Sequence, residues 1–461
     1  MLQDTIDKET ILKYDVSGPR YTSYPTVPAW GETVGAENFA KNLQAVTGKE
    51  PLSLYLHLPF CEQLCHFCGC MQIITKDHSR SKNYVDVLLS EIDLVVSHLK
   101  NCDRLVSQIH FGGGTPNFLQ PNELSLLMAK IRRHFKILPD AEIAIEMHPR
   151  TSTHAFCDQL KQEGFNRISL GVQDFDERVQ KLINRFQTYD MTQDMVNYLR
   201  KLGFNHFNFD LIYGLPGQTL EKFSDTLEKT VSLKPNRLAV YSYAHVPWVR
   251  PVQRTFKDED LPTPELKLKL FEMALKFFAR HELHFIGMDH FADEHDELFQ
   301  ALQNKSIHRN FMGYSTRADA HQIGMGVSSI SYVNGNYFQN QKKLPDYESH
   351  IKKNSLATFR GHVLSQDDHI RRDLITKLMC ARTLDIPQFE KKHGISLQKY
   401  FQSELILLKS FIQDSLVEIS NQNLIIVNQG HLVIRNIAMC FDKYLDEITT
   451  HAANPVFSRT V

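Results

Sequence analysis

The sequence predicts an α/β protein: a barrel-like parallel sheet wrapped by helices, followed by a smaller, mainly helical domain of winged-helix type. Three observations predict it. Six segments alternate apolar and polar residues with period two, and helical patterns separate them. That alternation ends near residue 365, where helices and a hairpin take over. The composition, 42% hydrophobic and 23% charged over 461 residues, excludes a disordered or fibrous chain.

The elements follow in order. An N-terminal segment, 1–45, precedes the first strand. In PLSLYLHLPF, Leu52, Leu54, Leu56 and Leu58 share one face and Ser53, Tyr55 and His57 the other. A helix follows, with Val85, Leu88, Leu89, Ile92, Val95, Val96 and Leu99 at helical spacing. Further strands are expected around Ile109 and Phe111, in AEIAIEMH, in RISLGVQ, in FNFDLIYGLP and in RLAVYSYAH. Helices are expected near 121–135, 190–202 and 219–233. One strand face carries Tyr, Glu, Gln and Asp, too polar for a packed barrel interior, so the reading is a ligand cavity at the strands' C-terminal ends. Residues 46–280 form the core of this unit, with a helix at 264–282 and HFIGMDHF extended beyond it. Residues 281–364 complete the catalytic domain, and HRNFMGYST and IGMGVSSIS read as loops and a short helix start. In 365–461, DDHIRRDLITKLMCARTL and LQKYFQSELILLKSFI read as helices and LIIVNQGHLVIRN as a hairpin around Asn428–Gly430.

Lys plus Arg total 52 against 53 Asp plus Glu, a net charge of −1, which argues against a nucleic-acid partner. No apolar run approaches the roughly 18 residues that would span a bilayer. The opening residues carry acids and no apolar stretch, so no signal peptide is expected and the chain reads as cytoplasmic. Four of the eight cysteines, Cys61, Cys65, Cys68 and Cys70, lie within ten residues. In a large cytoplasmic chain such a cluster points to metal rather than to disulfides.

Three motifs carry chemistry. CEQLCHFCGC is a C-x3-C-x2-C triad with one further Cys. Soft thiolates at this spacing suit three corners of a 4Fe–4S cube, leaving one iron open, or a zinc site completed by Cys70 or His66. GGGTP, Gly112–Pro116, follows a strand, and glycines there permit close approach to a ligand or a tight strand–helix turn. Glu146, Gln173 and Asp210 recur on the interior strand face, with Arg185 in the next helical stretch. Each is either a satisfied polar group of the sheet or part of a cradle in which carboxylates accept hydroxyls and Arg pairs with a carboxylate.

The triad spacing, with Phe67 before the third Cys, resembles the radical S-adenosylmethionine (SAM) enzymes. Within them the chain resembles the oxygen-independent coproporphyrinogen III oxidases. The likeness runs through GPRYTSYP, YLHLPFCEQLCHFCGC, HFGGGTPNFL, GFNRISLGVQDF, FDLIYGLPGQT, YAHVP, FIGMDHFA, IGMGVSSIS, NQKKL and IRNIAMCFDKYL. It implies a partial (β/α)6 TIM-like barrel of radical SAM type. It implies Cys61, Cys65 and Cys68 as ligands of a 4Fe–4S cluster, with Cys70 an extra, non-ligating cysteine. Tyr55, Phe67, Gly113, Gly114, Thr115, Glu146, Gln173, Arg185, Asp210 and Ala244 match positions that contact S-adenosylmethionine. Ile330 matches a position lining a second adenosylmethionine.

The implied reaction converts two propionates of coproporphyrinogen III to the vinyls of protoporphyrinogen IX in haem biosynthesis. The tetrapyrrole is the substrate, a low-potential donor such as flavodoxin or ferredoxin supplies electrons, and the chain is a monomer. Arg20, Arg309 and Arg317 are candidates for the substrate's carboxylates. The chain departs from the family pattern at Met312, where Gln is usual, at His148, where an acid is usual, and at Phe186. The alternatives are a radical SAM haem chaperone, a divergent paralogue, or a zinc-stabilised binding protein. The chaperones generally lack both the GPRYTSYP segment and a counterpart of Cys70. The remaining Cys102, Cys157, Cys380 and Cys440 read as ordinary buried thiols.

Overall fold

The computed structural model describes residues 7–318, 320–450, 452 and 454–460. Its centre is a twelve-stranded sheet. Six strands come first in the chain: β1 (Leu52–Leu58), β2 (Leu105–Gly113), β3 (Lys136–Met147), β4 (Arg167–Gln173), β5 (Phe207–Tyr213) and β6 (Arg237–Ser242). They lie side by side in that order, all parallel. Helices Ser79–His98, Pro121–His134, His154–Gln162, Tyr189–Lys201 and Leu220–Ser232 return the chain between them. This is the partial barrel expected from the strand–helix repeat. Several helices start on a threonine whose hydroxyl accepts a backbone N–H of the first turn: Thr153, Thr188 and Thr219.

The alternation in β1 has its expected consequence. Leu52, Leu54, Leu56 and Leu58 are buried in the main core against the helices. On the interior face, Ser53 bonds Gln108 and Tyr55 stacks on His110.

Residues 281–364 keep HFIGMDHF extended, as expected, and depart from the loop reading of HRNFMGYST and IGMGVSSIS. They contribute β7 (Leu283–Gly287), β8 (His290–Asp293), β9 (His308–Asn310), β10 (Gly313–Ser315), β11 (His321–Met325), β12 (Ile330–Val333), β13 (Asn336–Asn340) and β14 (Thr358–His362). HFIGMDHF is thus an antiparallel hairpin, which extends the sheet beyond β6. HRNFMGYST forms the separate β9–β10 hairpin. IGMGVSSIS supplies β11, which pairs parallel with β1, and opens β12. These strands are only three to five residues long, too short for a period of two to register.

Glu91, on the helix after β1, pins this added sheet to the barrel. Its carboxylate accepts from Gly326 N (2.6 Å), Asn340 Nδ2 (2.7 Å) and Tyr347 Oη (2.6 Å).

In the tail, helix Gln366–Ala381 begins at a Ser365 capping box. LQKYFQSELILLKSFI is helical but broken into Leu397–Tyr400, Gln402–Leu407 and Lys409–Gln413. β15 (Thr383–Asp385), β16 (Val417–Ile419) and β17 (Asn423–Ile426) form a small antiparallel sheet. The hairpin therefore turns at residues 420–422, not around Asn428–Gly430. After β17, Asn428 takes a left-handed φ of 48°, donates to Ser415 O, and sends the chain into a 3-10 turn and helix Ile434–Met439. Among the described residues no helix is long and apolar enough to cross a membrane.

Candidate functional site

The strands' C-terminal ends surround a cavity of ≈ 180 Å³. Into it open Cys61, Cys65, Phe67, Cys68, Gly113, Gly114, Thr115, Glu146, Gln173, Arg185 and Asp210. Eleven predicted residues from six separate stretches of chain thus converge on one space. Tyr55, Ala244 and Ile330 do not line it. Tyr55 lies behind it, its ring stacked on His110 at 5.8 Å and its hydroxyl 3.2 Å from His57 Nδ1. Ala244 sits two residues past β6, its carbonyl taken by Gln253 Nε2. Ile330 packs with Trp30, Tyr337 and Phe311 in a different apolar cluster, beside the turn that carries Met312.

The thiol loop leaves β1 and is anchored on several sides. Phe60–Cys61 pairs with Ile73–Ile74, closing the loop at its base. Thr115 N donates to Phe60 O (2.9 Å), and its hydroxyl lies 3.2 Å from Cys61 Sγ. His66 N donates to Ile183 O, and Asn184 Nδ2 donates to Leu64 O. Arg250, far along the chain, donates to Gly69 O and Cys70 O. Burial pushes the Cys61 thiol up to about 11. A hydrogen bond from Cys70 pulls the Cys68 thiol down, and the same bond, with the Cys68 charge, pushes Cys70 up.

GGGTP begins within β2 and turns over the cavity. Gly113 holds φ at +119°, and a Cβ there would fall 2.8 Å from the His57 ring. The turn presents Gly113 N to Glu146 Oε2 (3.2 Å), while Glu146 Oε1 meets His110 Nε2 at 3.0 Å. Burial opposes charge on both partners. Their mutual attraction still wins, raising His110 and lowering Glu146. Burial, then the nearby Glu146 charge, push Asp210 up to about 7. The Asn208 hydrogen bond and the Arg185 and His110 charges pull it down but are outweighed.

Arg185 is on a loop rather than the expected helix. That helix, Glu177–Leu182, ends before Asn184, which is left-handed at φ 54°. The guanidinium donates to Gly171 O (2.5 Å) and approaches Cys65 Sγ at 3.6 Å, while its buried Nε has no hydrogen-bond partner among the described residues. His148 also faces the cavity. Burial and the charges of Arg185 and Arg150 keep its imidazole neutral, and its Nδ1 accepts from Arg150 N. Phe186 is 44% exposed.

Sequence reasoning missed two residues. His110 was legible, since it alternates onto the interior face of β2. Arg250 was not, since its contacts lie about 180 residues away.

The donor set fits a cubane cluster with an amino-acid ligand. The three thiols share one cavity with a guanidinium that has an unfilled nitrogen and with a glycine turn. Among the described residues, no three His, Cys, Asp or Glu side chains converge on a point as a single ion requires. A cube spreads its thiolates over separate corners, so such convergence is not needed.

This arrangement defines a radical SAM protein, and the comparisons agree. The Radical SAM superfamily model matches residues 55–230, and the HemN C-terminal domain model matches 364–433. An oxygen-independent coproporphyrinogen III oxidase of Escherichia coli (strain K12) is 44% identical over 457 residues, covering 99% of this chain and 98% of the relative. One from Pseudomonas aeruginosa is 40% identical over 99% of this chain and 100% of the relative. The solved structure of coproporphyrinogen III oxidase (HemN) from Escherichia coli, described as a radical SAM enzyme, superposes with a TM-score of 0.91. It covers 96% of this chain and 100% of that one, at 42% identity. The chain belongs to the oxygen-independent coproporphyrinogen III oxidase family.

Proposed function

We propose that this chain carries out the oxygen-independent oxidative decarboxylation of coproporphyrinogen III to protoporphyrinogen IX. The observation that carries the reading is the single cavity shared by three thiols, the glycine turn and Arg185, inside a fold that matches the family end to end.

In this reading Cys61, Cys65 and Cys68 hold three irons of a 4Fe–4S cluster, and Cys70 stays a hydrogen-bond donor. When bound, the cluster and S-adenosylmethionine would supply the one-electron chemistry needed to take a hydrogen atom from a propionate arm, with carbon dioxide lost and the remaining electron passed to an external one-electron acceptor. The residues of this chain position and enclose. Arg185 receives the cofactor's carboxylate through its unfilled Nε. Gly113, Gly114 and Thr115 let the cofactor's methionine end approach the backbone. Asp210, Gln173 and Glu146 offer acceptors to its amino group and ribose hydroxyls, and Phe67 offers a ring face to adenine. Tyr55 and Ala244 act from behind and beside this space. Ile330 belongs to a second adenosylmethionine place, which Met312, lacking amide hydrogen bonds, binds more weakly than a Gln would. A flavodoxin or ferredoxin supplies electrons to a monomer.

The test is an anaerobic assay of reconstituted, reduced protein with adenosylmethionine and coproporphyrinogen III. The expected products are protoporphyrinogen IX and 5′-deoxyadenosine. Stoichiometric zinc with no iron–sulfur absorption would overturn the reading. For the second place, the expected result is one tightly bound adenosylmethionine per chain, and two in Met312→Gln.

A further inference from the structure

We propose that Arg309, flanked by Arg372 and Arg317, is the seat of a propionate carboxylate on the arm of the substrate that is not reacting. The inference rests on the function proposed above and names a part of the site that the thiol cavity does not include.

Arg309 lies on β9 and is only 7% exposed. Its guanidinium stands over the ring of its cross-strand neighbour Tyr314, 4.8 Å from the centroid. Its Nε and Nη1 are buried with no hydrogen-bond partner among the described residues. Asp289, an acid that feels its charge, is already held by Arg20 at 2.6 Å. Arg309, Arg317 and Arg372 line one small cavity, ≈ 20 Å³, with Ser53 and Gln322 on its floor. Among the described residues no Asp or Glu lines it. Among the described residues Arg372 donates to the Tyr337 hydroxyl (3.0 Å), and it rests over the Tyr332 ring. Arg317 is already engaged: it donates to Asp140 O (2.9 Å) and its Nη1 meets the Asp140 carboxylate at 3.5 Å. Burial and Arg372 push His308 down to about 4, so its ring adds no charge at neutral pH.

A buried guanidinium without an acceptor is costly to keep. Elsewhere inside this same barrel the cost is met: Arg167 and Arg237 face Glu142, Asp296 and Glu297. Arg309 has no such counterpart among the described residues, so the counterpart we infer is a ligand. Its planar fork fits a carboxylate, and the Tyr337 hydroxyl lies beside it. The cavity holds about one water-sized sphere, enough for the end of a side arm and not for a ring. Ser53 is the second residue of β1 and Leu58 closes it just before the thiol loop, five steps of about 3.3 Å, roughly 16 Å away. A carboxylate seated here is therefore remote from the reacting carbon, and the arm that carries it anchors the ring.

The methionine end of a second adenosylmethionine presents the same chemical group, so the test separates the two sources. Reconstituted anaerobic holoenzyme and its Arg309→Gln variant are titrated with coproporphyrin III, with its tetramethyl ester, and with adenosylmethionine. The expected result is about a 10- to 100-fold weaker coproporphyrin III affinity in the variant. Ester and adenosylmethionine binding stay unchanged, and Arg309→Lys recovers part of the loss. Unchanged acid affinity overturns the proposal, as does equal loss of acid and ester. Loss of an adenosylmethionine equivalent with porphyrin binding intact overturns it too, by assigning the seat to the cofactor. If Arg309→Gln does not fold, Arg372→Gln carries the same comparison. Failure of the parent protein to turn over coproporphyrinogen III sinks the function itself. Turnover by the parent with an unaffected Arg309→Gln sinks only the seat.

Discussion

The two ends of the barrel interior are built from the same strands and have similar composition, yet they do opposite things. At the N-terminal end, Arg167 meets Glu142 at 2.6 Å and Arg237 meets Asp296 at 2.7 Å, with Glu297 alongside both. Gln108 and Ser53 continue the chain of hydrogen bonds onto β1. The two guanidinia outweigh burial and hold Glu142 down at about 2. At the C-terminal end, three thiols face a cavity, Asp210 is pushed up to about 7, and the Arg185 Nε has no partner among the described residues. Both ends are polar, so polarity alone does not mark function. Satisfaction does: Arg167 and Arg237 close their charges on the acids beside them and become a plug, while the thiol cavity leaves groups open for something that binds.

The largest effect expected from this contrast is at the open end. Serine at Cys61, Cys65 or Cys68 should each remove the iron–sulfur absorption and take turnover to the detection floor, with thermal stability of the iron-free protein unchanged. Serine at Cys70 should keep most of the iron. Iron analysis with visible absorption decides it, and full cluster loss in Cys70→Ser alone breaks the assignment.

At the closed end the expected loss is of stability rather than chemistry. Arg237→Leu leaves Asp296 buried beside Arg167 alone and should cost about 3–5 kcal/mol, read by denaturant unfolding. Adenosylmethionine affinity measured below the transition should not move. If affinity falls with stability intact, the floor is part of the binding site and the contrast fails. Arg185→Gln is the counterpart at the open end. It should weaken adenosylmethionine by about 1.5–3 kcal/mol, read by calorimetry, with little change in melting temperature.

Much of this was legible in the sequence, for a physical reason. Strands covered by helices on one face and facing a cavity on the other must alternate, so β1 through β6 and their interior residues could be read from period two. The thiol triad and GGGTP are local in sequence because a loop and a turn are local objects. The features that escaped are those fixed by distant contacts. The strands β9 to β12 are too short to show a period. Arg185 leaves its expected helix because Asn184 turns left-handed. The hairpin in the tail was misplaced because Asn428, bonded to Ser415, starts a helix where its flanking residues still alternate. The contact Arg250 makes with the thiol loop, and Arg309's lack of a partner among the described residues, have no sequence signature at all.

Glu91 separates two meanings of satisfaction that the barrel ends confound. Its carboxyl is fully buried and accepts three hydrogen bonds, but all from neutral donors: Gly326 N, Asn340 Nδ2 and Tyr347 Oη. Burial outweighs these bonds and raises it to about 7. If hydrogen bonds without a counter-charge were enough, it would titrate like Glu142. The sign follows from linkage. The folded state keeps a proton that the unfolded state gives up near 4.3, so stability falls as pH rises from about 4.5 to 7 and levels off above. Near the middle of that window the slope from this group is about 1 kcal/mol per pH unit. Glu91→Gln should have a lower baseline stability, because its amide nitrogen faces Asn340, but a flatter profile through that window. The measurement is unfolding free energy at pH 5.5, 6.5 and 7.5 for both proteins. Equal slopes would mean that neutral donors hold the charge as well as Arg167 and Arg237 hold Glu142, and that the plug owes its stability to hydrogen bonding rather than to ion pairing.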